Sequence, residues 1–522
     1  MYNKDIYKEP FWAENSGFMT GRDPLGIQNS SVATYRTLLP GMTNLTRRLR
    51  YYGFYSWALY EYYNQENVNE TKLSYHYNFI RRSELVIAYL MVNNFENEKS
   101  IVGSDFAKKN IIEKNGYYDI ALGADKFKST KKGSVYWDFS SGALGQYYAG
   151  SLLNLNIINK IGKFYNITDK GKELALSFKD NVGENAVNLF LRVVDTGILY
   201  KKQIDELNNF SIANIPFDTK EWKLYVDLLI FDDTEKYLEN NKSNSSLRRE
   251  TIKYYLSYLK DKENKKYLEG FPEIQYENNL KKKKDDASFG WYYYYLNEMI
   301  HFSLESIFWG FLVQLDGKII SINKFLEEFN DEILKKSTEN FLKNTNESVS
   351  EVLKDLKINS HSLKKDFKNL VKLIKSTENS IEAISLAFKI ILQIYNENQQ
   401  YKQSIIEYEK ENILFDKFGR VTQNFKDLIE DHFNDKYSNY FESCIKNMIN
   451  DHVITAYRKM GNGESNLLKF IIEDNNIIHI QTMEPKFTSP RLGTLNDFLN
   501  DLGYINNEGS LSRTGKKLLL KL

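Results

Sequence analysis

The sequence predicts a mainly α-helical, multidomain protein carrying two winged-helix-like modules with small β wings. Three observations predict it. Apolar residues recur at helical spacing over long stretches, and no proline interrupts the chain from Glu273 to Glu484, so helical hydrogen-bond ladders can run unbroken. Two stretches, 142–178 and 488–522, repeat one order of helix, leucine-rich end, short strand and Gly-Lys-containing helix. The single cysteine, Cys444, excludes a disulfide framework and any cysteine-rich zinc module.

A chain of 522 residues has room for several domains. The divisions expected are an N-terminal helical block (1–80), a winged-helix-like module (81–180), a helical and linker region (181–289), a central buried helix with a long helical arm (290–460), and a C-terminal winged-helix-like module (461–522). Formal net charge is +1, so any contact with DNA or RNA must come from local patches rather than a global field. The N-terminus has no apolar core of a signal peptide, and no apolar run is long enough to span a bilayer. A cytoplasmic protein with no membrane partner is expected. Walker A, Rossmann and nucleophile-elbow patterns are absent, which leaves P-loop ATP hydrolysis unsupported.

In the N-terminal block, Gly21–Gly26 reads as a turn and Leu38–Gly41 as the end of a helical segment. Thr43 is expected to cap a helix running to about Tyr63, with Leu45, Leu49, Tyr52, Tyr60 and Tyr63 as its core stripe. Arg47, Arg48 and Arg50 would fall in its first turns, where the helix dipole prefers acids. Together with Arg22 they need partners: the acids of the central helix, Asp23, or a phosphate on a ligand. Arg81, Arg82 and Glu84 pose the same question in the next helix.

The first winged-helix-like module would use helices at about 81–94 and 103–114, then the 142–178 stretch. Its expected recognition helix, Ser141–Leu155, holds no Lys or Arg and cannot neutralise phosphates, so this copy reads as structural. In the second copy, Leu467–Ile480 would supply a helix and a strand. Lys486, Arg491, Arg513, Lys516, Lys517 and Lys521 face only Asp497, Asp501 and Glu508 over 486–522. That local excess suits contacts to DNA or RNA backbone.

The middle of the chain reads as helices at Glu184–Tyr200 and Trp222–Leu238, a polar loop, and a basic helix from about Leu247. The Leu280–Ser288 charge run is a solvated linker or a phosphate-binding strip. After Gly317, amphipathic helices at about 321–345, 347–376, 379–411 and 421–450 suggest long hairpins or a coiled-coil arm for partner proteins.

The densest aromatic run, Gly290–Leu315, reads as a helix apolar nearly all round, hence buried. Leu296, Ile300, Leu304, Ile307, Phe311 and Leu315 form one stripe. Glu298, His301 and Glu305 share another face, at steps of three and four. Buried charges must be paired, hydrogen-bonded or metal-bound. The trio is therefore a satisfied structural network, or a catalytic site holding a divalent cation with help from Asp23. His452 and Lys459, seven residues apart, share a face of a later helix and are possible site members.

Arg22–Gly26, Leu38–Gly41, Arg50–Tyr55 and the Asn297–Glu305 segment, with its Asn-Glu and His-x-x-x-Glu pattern, resemble an uncharacterised bacterial family associated with anti-phage defence islands. The resemblance implies a biological setting and not a reaction. The expected function is a nucleic-acid- and protein-binding adaptor of a multi-gene defence system. The alternatives are a metal-dependent nuclease or other phosphoester-cleaving enzyme built on Glu298, His301, Glu305 and Asp23, and a purely structural scaffold.

Overall fold

The computed structural model describes residues 23–65, 72–112, 116–125, 135–231, 244–261, 270–281, 286–358, 362–412, 420–460 and 467–522. Arg22 and the 282–285 part of the charge run lie outside them. The described chain is mainly α-helical, with three small antiparallel sheets. It forms two compact units, each assembled from separated stretches. The first comprises Met1–Tyr35, Pro272–Lys284 and Phe289–Thr488; the second comprises Arg36–Phe271, Asp285–Ser288 and Ser489–Leu522.

The first unit is built on the central helix, Asp286–Leu315. Its apolar residues are buried on several sides, among them Leu296, Ile300, Phe308, Phe311 and Leu315, as its all-round apolar sequence requires. The Ser380–Asn398 helix packs close against it. The reason for the closeness is Gly310, where a Cβ would lie 2.6 Å from Ile384 Cγ1. The helices after Gly317 are shorter than expected and contribute to this same core, so the long arm expected there is not what forms.

A second correction concerns 467–480. No helix forms there; the strands Phe470–Glu473 and Asn476–His479 make a hairpin, with Ile319–Ser321 pairing on the other edge of Asn476–His479. Asp474 and Asn475 turn the chain with φ of 48° and 65°, the left-handed pair that a tight hairpin needs and that Asp and Asn tolerate. This hairpin belongs to the first unit and not to the C-terminal module.

In the second unit, Arg50–Tyr63 packs along Asp169–Val182. Trp57 lies among Phe178, Phe190 and Phe210, with ring centroids 4.8–6.0 Å away. The helix starts at Arg50, later than expected, because Thr43 and Thr46 close a separate turn: the Thr46 amide donates to the Thr43 carbonyl and hydroxyl. Leu45 consequently leaves the core stripe and is 58% exposed.

The elements Leu73–Asn94, Ser104–Lys109, a π turn at Leu144–Tyr148 leading into Ala149–Asn154, the Ile158–Ile161/Phe164–Ile167 hairpin and Asp169–Val182 occur in this order, with the strand Tyr117–Asp119 and the helix Ile120–Ala124, which were not expected, between the second and third. At the C-terminus, Leu492–Asp501 is followed by an Ile505–Leu511 bridge and the helix Arg513–Lys521. Both closing helices begin alike. Thr168 and Ser512 accept hydrogen bonds from the amides of Gly171 and Gly515, the N-cap arrangement. In each, a Cβ on that glycine would come within 2.1 Å of a preceding carbonyl, Ile157 O or Tyr504 O.

Candidate functional site

In the first unit the turn after residue 22 is a polar hub. The Asp23 carboxylate accepts from the amides of Gly26 (2.8 Å), Ile27 (3.1 Å) and Gln28 (2.9 Å). The turn's own carbonyls are gripped by one helix, Tyr437–Met460. Lys459 Nζ donates to Asp23 O, and His452 Nδ1 donates to Pro24 O at 3.0 Å. His452 Nε2 accepts from the Lys469 amide at 3.0 Å. One nitrogen donates and the other accepts, so this imidazole is neutral. Burial, with the Lys469 and Lys459 charges, pushes its pKa down to about 4, against the pull of the Pro24 carbonyl. His452 and Lys459 thus do act together, as clamps on backbone.

Gln28 carries the hub to the central helix. Its amide nitrogen lies 3.0 Å from His301 Nε2 and 3.2 Å from Glu305 Oε1. His301 Nε2 is 2.9 Å from Glu305 Oε1, and its Nδ1 faces Glu298 Oε1 at 3.8 Å. All three side chains are buried. Burial alone would lower the His301 pKa, but the Glu305 hydrogen bond, then the charges of Glu305, Glu298 and Asp23, outweigh it and raise it to about 9. The protonated form of the ring is thereby favoured, held by Glu305 at Nε2, while Nδ1 makes no hydrogen bond among the described residues.

The outer oxygens of those carboxylates hold the chain at 486–488. Glu305 Oε2 accepts from the Lys486 amide (3.0 Å); Glu298 accepts from the Thr488 amide (2.7 Å) and hydroxyl (2.9 Å). Phe487 stacks on Phe302 with centroids 4.4 Å apart. The expected trio therefore assembles, with the Asp23 turn beside it, as a strap-holding network. Among the described residues no three His, Cys, Asp or Glu side chains form a group that could hold a metal ion, Glu298, His301 and Glu305 included.

The arginines pair elsewhere, which corrects the expectation that central-helix acids or Asp23 meet them. All three sit in the second unit with partners of that unit. Arg50 is bidentate to buried Glu221, Nε to Oε1 at 3.0 Å and Nη2 to Oε2 at 3.2 Å, and also donates to the Asn209 and Ser211 carbonyls. Arg48 meets Glu98 and Asp501, and Arg47 meets Asp497 at 2.6 Å. Arg81 donates to the carbonyls of Ala124, Phe139 and Trp137. Buried Glu84 accepts from the Ala143 and Leu144 amides and from the Tyr55 and Tyr136 hydroxyls. Glu221, Asp497 and Asp501 have no motif signal; each lies more than 150 residues from its arginine.

The expected nucleic-acid residues divide three ways. Arg513, Lys516 and Lys517 are exposed on the C-terminal helix, with Lys521 beside them. Among the described residues none of these four forms an ion pair. Arg491 is a structural tie: it has φ of 62° and donates to the Leu39 carbonyl at 2.8 Å. Lys486 lies in the first unit. The basic helix expected from about Leu247 forms as Asn244–Lys260, with Lys253 and Lys260 exposed and seven apart; sequence reasoning did not connect it to the C-terminal helix. Lys253 Nζ donates to the Leu522 carbonyl at 2.8 Å, which brings this second basic face to the end of the C-terminal helix.

Comparison with protein-family models, with curated proteins and with solved structures gave no match. Among the described residues no helix is long and apolar enough to cross a membrane.

Proposed function

We propose that this chain is a cytoplasmic, non-catalytic component of a bacterial anti-phage defence system, and that it binds nucleic-acid backbone and partner proteins. The defence setting and the partner proteins rest on the sequence resemblance. The nucleic-acid reading rests on one observation: Arg513, Lys516, Lys517 and Lys521 are exposed on a nine-residue helix and unpaired among the described residues. Cations left free of acids are available to replace phosphate counterions. The helix closes a module whose element order and capping glycine repeat those of the 142–182 segment, which suits a winged-helix fold. The Glu298–His301–Glu305 network serves this component by holding the 486–488 strap.

Fluorescence anisotropy with labelled duplex DNA and single-stranded RNA across a salt series tests this. Three phosphate contacts give a log–log salt slope near −2.7 on duplex DNA, about a 40-fold loss of affinity for a fourfold rise in salt. Arg513→Gln with Lys516→Gln and Lys517→Gln should flatten that slope, while Glu298→Gln should leave it unchanged. A wild-type protein that binds neither probe at low salt overturns the reading.

A further inference from the structure

A pocket of about 390 Å³ opens in the second unit, a size within the usual range for small-molecule sites. Its wall includes Trp137 and Tyr147, which pack edge to face with ring planes at 88° and centroids 5.4 Å apart. The indole is oriented by its own hydrogen bond, Nε1 to Gln146 Oε1 at 2.8 Å. Leu45, 58% exposed, and Phe106 add apolar surface.

The wall is built at some structural cost. Tyr147 and Tyr148 come from the π turn Leu144–Tyr148, a rare geometry frequent at functional sites. Ser100, also in the lining, takes φ of 62°, unfavourable for a residue with a side chain. The turn and the ring of Tyr136 are fixed from behind by Glu84, whose carboxylate accepts from Ala143 N (3.0 Å), Leu144 N (2.8 Å) and the Tyr136 hydroxyl. A fully buried carboxylate that ties two amides and one hydroxyl of this wall together makes the wall rigid.

Charge decides the ligand class. Among the described residues the pocket has two charged lining residues, Arg47 and Asp105. Arg47 is already engaged by Asp497 at 2.6 Å, whereas Asp105 is exposed and forms no ion pair among the described residues. Among the described residues the unbalanced charge is negative, and the faces of indole and phenol rings are themselves negative. An anionic ligand meets repulsion from both; a cation is favoured by both. We propose that this pocket binds an organic ammonium group, quaternary or alkylated, with Trp137 and Tyr147 as its walls and Asp105 as its counter-charge. The proposal uses none of the C-terminal helix cations and is independent of nucleic-acid binding.

Calorimetric titration of the full chain with tetramethylammonium chloride, against sodium chloride at matched ionic strength, tests it. N-trimethyllysine in a second arm separates a methylated side chain from a small free amine as the source. Saturable binding at millimolar concentration is expected. Trp137→Ala should weaken it at least about tenfold, the equivalent of about 1.4 kcal/mol. Asp105→Asn should weaken it severalfold without disturbing the fold, because the side chain is exposed. The proposal is overturned if the wild type shows no saturable binding, if both variants bind as the wild type does, or if adenosine monophosphate binds and tetramethylammonium does not.

Discussion

His301 shows how a buried histidine is held by neighbouring carboxylates. Its 2.9 Å contact to Glu305, with the charges of Glu305, Glu298 and Asp23, favours the protonated ring. With a folded pKa near 9 against an ordinary value of 6.5, its charge stabilises the fold fully below pH 6.5. That contribution is lost as the pH rises through about 9. His301→Gln should therefore cost most at pH 6, on the order of 3 kcal/mol, and little at pH 10. Urea unfolding at the two pH values measures the difference, and equal losses at both would refute the imidazolium assignment. The trio was legible in the sequence because same-face spacing on a helix is a local property. Its partners were not, because backbone amides 181 and 190 residues away carry no side-chain signature. The described residues of Arg22–Gly26 and Asn297–Glu305 meet in the hub through residues just after Gly26. There Asn297 donates to the Ser31 hydroxyl and Gln28 donates to Glu305.

Single elements were read well where the pattern was local and poorly where a tertiary contact set the boundary. The order of the first wing and both closing helices followed from Gly and capping signals. The Arg50 helix start did not, because Thr43 can cap either a helix or a turn and its hydroxyl partners Thr46. The Phe470–His479 hairpin did carry a signal that was misread: β-branched runs flank Asp474–Asn475, a left-handed pair. Gly53, inside the Arg50–Tyr63 helix, gives a test at this scale. Alanine there should favour the helix by about 1 kcal/mol on propensity alone. Its Cβ, however, would lie 2.1 Å from the Tyr225 hydroxyl and 3.2 Å from Phe178. Packing should win, with Gly53→Ala destabilising by about 1–3 kcal/mol. Adding Tyr225→Phe removes the colliding oxygen, so the double variant should be more stable than the sum of the two single losses. Strict additivity in thermal melts would mean that the two sites do not touch.

At the scale of the whole molecule the sequence hid most, because each unit joins stretches far apart in the chain. Expected divisions written as consecutive segments cannot express a unit in which residues 23–35 pack with residues beyond 289. Hydrophobic period shows that a helix is buried, not which helix covers it. Ionisable groups buried in both units nonetheless give the molecule one predictable response. His452 in the first unit and His76 in the second have pKa values pushed down to about 4, in both cases chiefly by burial. Their neutral forms stabilise the fold above pH 6.5, and that stability is lost as the pH falls toward 4. Asp501 behaves oppositely: burial pushes its carboxyl up to about 7, against the pull of Arg48. Its stabilising protonated form is lost as the pH rises from 3.8 through 7, and the His301 contribution follows toward 9. Thermal stability should thus peak near pH 6 and fall on both sides. The alkaline limb should flatten in His301→Gln and the acid limb in His452→Gln, each variant being less stable at the peak. Melting profiles from pH 4 to pH 10 would show this, and a His301→Gln profile parallel to the wild type would place the alkaline loss in other groups.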